Sequence, residues 1–146
     1  MNIAQGLKQK NRLEKALSEL IAKITKYQRI SALEVVAPPN IGVLIEEYHT
    51  KATELADLKK KICTASVPVT DKICRQDSIR KLLKTIRELN TSTEPEEHGY
   101  GEHTRTKNFK VQLDHIRKDD MVSRLIAEVD SIQDDLDNFN AITKLS

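Results

Sequence analysis

The feature that most narrows the fold is a spacing near the end of the chain: Val122, Leu125, Val129, Ile132, Leu136 and Phe139 follow one another in steps of three, four, three, four and three. Steps averaging about 3.5 residues keep one apolar edge on the same side of a helix, so this stretch is a packing seam and not a strand or a loop. Leu13, Leu17, Leu20, Ile24 and Tyr27 repeat the pattern near the start. Both seams are aliphatic. Aromatic residues are 3% of the chain and Trp is absent, so the core is built from Leu, Ile, Val and Ala, a palette suited to helix on helix.

Two further runs lie between the seams. Ile41, Leu44, Tyr48, Leu55, Leu58 and Ile62 form one, interrupted by Lys51, whose stem alone need be covered. Ile73, Ile79, Leu82, Leu83, Ile86 and Leu89 form the other. Pro38-Pro39 and Pro68 separate the runs, because proline lacks an N–H and disfavours helix at its predecessor. The expected fold is all-α: an elongated antiparallel bundle of four long helices, about 3–36, 41–65, 71–90 and 115–141, in one domain of 146 residues, with one long loop, about 91–113, before the last helix. Thr70 and Asp114 are the expected N-caps of the third and fourth helices. Asp71 sits in the favourable first turn of the third. A first helix of about 30 residues at ~1.5 Å each is roughly 45 Å long, against a radius of gyration near 15 Å for a globule of this size. Such a protomer leaves seam residues uncovered, and self-association is the expected remedy.

Charge is sorted by segment. Residues 51 to 87 carry ten Lys or Arg and four acids, whereas 119 to 137 carry seven acids and one Arg. The acidic last helix is therefore expected beside a basic one, with Asp130, Asp134 and Asp137 contributing. Acid-then-base pairs four apart (Glu19 with Lys23, Asp57 with Lys61, Asp77 with Lys81, Asp120 with Arg124) support the exposed faces. Net charge of +2 does not call for nucleic acid or a membrane surface. No run reaches the ~20 apolar residues of a membrane span, and the start lacks a signal-peptide layout. The expected location is the cytoplasm, or a virion if phage-encoded.

The segment "EEHGYGEHTRTKNFK" is neither helix nor seam. His98, Tyr100, His103, Arg105 and Lys107 are the candidate binding residues there. His98 and His103 with Glu96, Glu97 and Glu102 could offer metal ligands, but no HExxH or CxxC spacing occurs, and a solvated connection is favoured over a metal site. No cofactor is expected. Gly99 and Gly101 do not follow a strand and open a helix, as a phosphate cradle requires. Asp134, Asp135 and Asp137 are face charges, and a Cys–His nucleophile would need Cys63 or Cys74 beside His49, His98, His103 or His115. No enzyme is expected. Cys63 and Cys74 stand five before and six after Pro68, so a helical hairpin turning at Val67–Val69 would bring two buried thiols to equal height, in reach of a link under mild oxidation.

Three stretches carry a resemblance: "MNIAQGLKQKNRLEKALSELIAKI", "RQDSIRKLLKTIRELN" and "FKVQLDHIRKDDMVSRLIAEVDSIQDDLDNFNAITKLS". Through Ala4, Leu7, Leu13 and Leu20, then Arg75, Asp77, Arg87 and Leu89, then Asp130, Leu136, Asn140, Thr143 and Leu145, the chain resembles the septicolysin-like family of small bacterial helical proteins. It departs where the second helix ends: the family has asparagine and threonine there, and this chain has Ile62-Cys63-Thr64-Ala65-Ser66. The resemblance implies a helical, oligomeric protein and transfers no catalytic residue.

The function expected is a self-associating structural or adaptor protein, working as a homo-oligomer with a possible protein partner. The alternative is a nucleic-acid-associated factor using the basic second and third helices. That partner is disfavoured, because so few aromatics supply no stacking platform for "LKKKIC".

Overall fold

The structure is a computed structural model describing residues 1–146. It is mainly all-α. Helix α1 is Ile3–Tyr27, α2 is Ile41–Ser66, α3 is Thr70–Glu88 and α4 is His115–Ile142. The only sheet is a pair of three-residue strands, β1 (Glu96–His98) and β2 (Arg105–Lys107). The chain gathers into two compact units, residues 1–70 with 137–146, and residues 71–136.

The helix count differs from four. Ser66, Val67 and Thr70 all keep right-handed helical dihedrals, and Val67–Val69 is a single 3₁₀ turn, so Ile41 to Glu88 is one continuous run of 48 residues and the chain has three helices. Pro68 tightens the helix without ending it. The Val67 N–H donates to Thr64 O and the Thr70 N–H to Val67 O, three-residue bonds that route around the proline's missing donor. Pro68 itself is exposed, while Val69 beside it is buried. Thr70 consequently caps nothing: it lies inside the helical run, and its hydroxyl donates to Ser66 O at 3.3 Å.

The hairpin turn at Val67–Val69 is therefore not made, and the basis for a Cys63–Cys74 link goes with it. Both thiols are also exposed, not buried. Maleimide labelling of native protein is expected to modify both cysteines at the rate seen in denaturant within about tenfold. Protection of either thiol by several orders of magnitude would contradict the fold.

In the first unit α1 and α2 pack as an antiparallel hairpin. Leu13 and Leu17 of α1 interlock with Leu55 and Leu58 of α2, and Tyr48, Ala52, Ile62 and Leu145 pack around them. The Lys59 ammonium meets the Glu14 carboxylate at 2.8 Å across this seam. Hydrogen bonding from Lys59 holds the Glu14 carboxyl below its ordinary range, against a smaller opposing effect of burial and with help from Lys10. Helix α1 stops at Tyr27, short of the expected 36. The Ser31 hydroxyl accepts from the Leu33 N–H at 3.2 Å, and the Glu34 N–H closes a turn onto Ser31 O at 3.0 Å. Serine's local bonds thus replace helical ones. Asn40 then caps α2 by accepting from Gly42 N and Val43 N.

The same unit holds a clasp. Asn2 accepts from Gln5 N and its own N–H donates to the Gln5 side chain, a reciprocal cap for α1. Its side-chain amide also donates to Ala141 O at 2.9 Å, serving the last turn of α4. The Ile3 N–H donates to Thr143 O and the Leu145 N–H to Met1 O, both at 2.9 Å, and residues 2 and 144 pair as an antiparallel bridge. Ile3, 1% exposed, is the most deeply buried side chain of the protein. A Cβ on Gly6 would come within 2.6 Å of Leu145 Cδ1, so glycine leaves the room that Leu145 fills.

In the second unit α3 and α4 run antiparallel, Lys72 meeting Asp135 at one end and Lys118 meeting the last carbonyls of α3 at the other. Asp114 caps α4 as expected, accepting from Arg117 N at 2.8 Å. Ile79, Leu83 and Ile86 are buried, while Ile73, Leu82 and Leu89 of the same stripe are exposed.

Candidate functional site

The expected loop is in part an ordered arm. Glu96 faces Lys107, Glu97 faces Thr106 and His98 faces Arg105 in antiparallel register. Opposite charges at the first pair support the pairing modestly, and within β1 His98 Nε2 lies 3.7 Å from Glu96 Oε2. Tyr100 and His103 lie in the connection, where the His103 N–H donates to Tyr100 O at 3.2 Å and the Thr104 hydroxyl to Gly101 O at 2.8 Å. Gly99 has φ +106°, and a Cβ there would stand 2.5 Å from the His103 carbonyl oxygen. Only glycine fits that turn. Replacing Gly99 with Ala is expected to abolish strand pairing in the arm, read as lost amide protection at residues 96–107, while the melting temperature moves by less than about 2 °C because the arm buries almost nothing. Retained protection would refute this role.

The arm brings His98 and Arg105 together and sets Lys107 opposite Glu96, with Tyr100 94% exposed at the end. Lys107 Nζ lies 5.4 Å from the Phe109 ring centroid, a cation–π contact that draws the ammonium back along the arm. No three His, Cys, Asp or Glu side chains converge in a way that could hold a metal ion. Beside the base of the arm, Leu89, Phe109, Val111 and Leu113 line a hollow of about 500 Å³ with Glu94 and Lys110 among its polar groups.

The seams have unequal fates. Leu13, Leu17 and Leu20 are buried and Ile24 is half-buried. On α4 only Leu136 is buried; Val122, Leu125, Val129, Ile132 and Phe139 are half-buried. Polar contacts also join α4 to α3. Lys72 Nζ meets Asp135 Oδ2 at 2.6 Å, Arg75 forks onto Glu128 with Nε at 2.9 Å, and Arg80 donates to Gln133 at 3.3 Å. The acidic helix therefore does pair with a basic one, α3, with Glu128 and Asp135 among the contacts. Of the expected intrahelical pairs, Asp77–Lys81 (2.7 Å) and Asp120–Arg124 (3.0 Å) form, whereas Glu19 faces Lys15 at 4.0 Å.

Sequence reasoning passed over Gln76. It is the one buried polar residue, donating to Gln133 Oε1 at 2.9 Å. Its signal was positional: Gln76 lies three residues before Ile79 and seven before Leu83, on the stripe itself.

The fold so defined is an all-α chain of helical hairpins carrying a short β-arm. No protein-family model, curated protein or solved structure matches the chain. No helix is long and apolar enough to cross a membrane.

Proposed function

We propose that the protein is a self-associating, non-enzymatic structural or adaptor component that works through its surfaces. One observation carries this reading. Large aliphatic side chains stand in solvent on successive elements, Ile30 to Val36 between α1 and α2, Val43 and Ile45 on α2, Ile73 and Leu82 on α3, Ile116 and Met121 on α4. Exposed apolar surface of this extent is covered most cheaply by another protein surface. The internal pairing of Lys59, Lys72, Arg75 and Lys81 also leaves fewer free cations for phosphates, which favours this reading over a nucleic-acid factor. Light scattering across a dilution series tests it: a mass above 16.6 kDa that falls on dilution is expected, and a monomer at tens of micromolar overturns it.

Membership of the septicolysin-like family is carried as part of the same proposal. Residues that suggest it from opposite ends of the chain, Ala4 and Leu7 with Thr143 and Leu145, belong to or flank the clasp. A septicolysin-like protein whose closing segment does not dock on its first helix would count against it.

A further inference from the structure

The turn between α1 and α2 combines a protrusion and a recess. Leu33 and Val35 project, 88% and 96% exposed. Next to them Tyr27, Ile30, Val36 and Pro38 line a hollow of about 350 Å³, with Lys26 and Glu34 of opposite sign also lining it. The hollow can take a branched aliphatic side chain. We propose that this turn is the self-association surface, each copy placing Leu33 and Val35 into the hollow of a second copy about a two-fold axis; the inference rests on the self-association reading above.

Two properties select a second copy as occupant. Knob and hole lie on one patch, so a two-fold operation satisfies both at once, residue i meeting j while j meets i. The charges obey the same symmetry, since Lys26 of each copy comes to Glu34 of the other, and a patch carrying both signs complements itself. The apolar area is small beside the roughly 800 Å² per partner of a standard interface, so the dimer is weak and dissociates on dilution in the micromolar range.

The test compares wild type with Leu33→Ser/Val35→Ser, Lys26→Glu, Glu34→Lys and the double swap Lys26→Glu/Glu34→Lys, by sedimentation equilibrium, with circular dichroism to confirm the fold. Leu33 and Val35 contribute little packing within the protomer, so the serine variant is expected to keep its helix content and melting temperature while its dimer dissociation constant rises at least tenfold. Each single charge change is expected to weaken association several-fold, and the double swap to restore it. If wild type associates and the serine variant associates equally well, this surface is wrong and the self-association reading survives. If wild type is monomeric at tens of micromolar, both fall. Binding of wild type to phosphatidylserine vesicles, lost in the serine variant while the mass remains that of a monomer, would assign the patch to a lipid surface and overturn the proposal.

Discussion

Deleting residues 143–146 is expected to destabilise the first unit by about 3 kcal/mol and to lower its melting temperature by about 10 °C. The deletion removes Thr143 O, the acceptor of the Ile3 N–H, and the Leu145 N–H that donates to Met1 O; each such bond is worth about 1 kcal/mol net. It also withdraws the Leu145 side chain from the space above Gly6 and Ile62, a half-buried leucine worth about 1 kcal/mol or more. Roughly 2–4 °C of midpoint accompanies each kcal/mol in a chain of this length. Leu145→Ala, which keeps the backbone bonds, is expected to cost less than half as much. Hydrogen exchange supplies an independent reading, since the Ile3 amide loses its protection only in the deletion. A deletion variant melting with wild type would mean that the clasp is dispensable.

Lys118→Met is expected to cost about 2 kcal/mol and to open the segment 89–113 to proteolysis. The Lys118 ammonium donates to Arg87 O at 2.9 Å and to Leu89 O at 2.8 Å. These are carbonyls at the end of α3 that the helix itself leaves without partners, and a cation there also meets the negative end of the helix dipole. Charge-assisted bonds of this kind contribute about 1.5–3 kcal/mol. Methionine preserves the aliphatic stem and deletes only the ammonium, so the comparison isolates the cap. Lys118→Arg is expected to recover part of the loss. Equal stability and equal protease resistance in wild type and Lys118→Met would remove Lys118 from this role.

What the sequence revealed was periodic or strictly local. The α1 seam through Leu20, the run through Leu55 and Leu58, and the Asp114 cap all appear where spacing and residue type placed them. What escaped depends on geometry that spacing does not encode. Pro68 reads as a stop because its own ring forbids ordinary helix bonding, yet a single 3₁₀ turn re-routes Thr64 O and the helical run continues. Past Tyr27 the backbone bonds around Ser31 are local turn bonds that no periodicity announces, and Leu33 and Val35 are exposed there. Gln76 hides among apolar residues because its only acceptors lie on α4, fifty-odd positions away. Of the candidate site, the composition of the arm was legible, but the register facing His98 with Arg105 was not, since three-residue strands have no periodicity to read.

The pairing of residue 2 with residue 144 bears on how the molecule is made. The α1–α2 hairpin closes over a connection of modest length, and its Leu13–Leu55 packing can form soon after residue 66 is synthesised. The N–H of Ile3 and the space over Gly6 wait for Thr143 and Leu145. Those contacts span almost the whole sequence, and joining such distant points carries the largest loop-closure entropy in the chain. Helical stretches early in the sequence therefore form rapidly from local contacts, whereas completion of the first unit is a late, long-range step. During synthesis α1 is made long before residues 143–145, so Ile3 and its surroundings stay open to chaperones and to other copies of the chain until that segment docks.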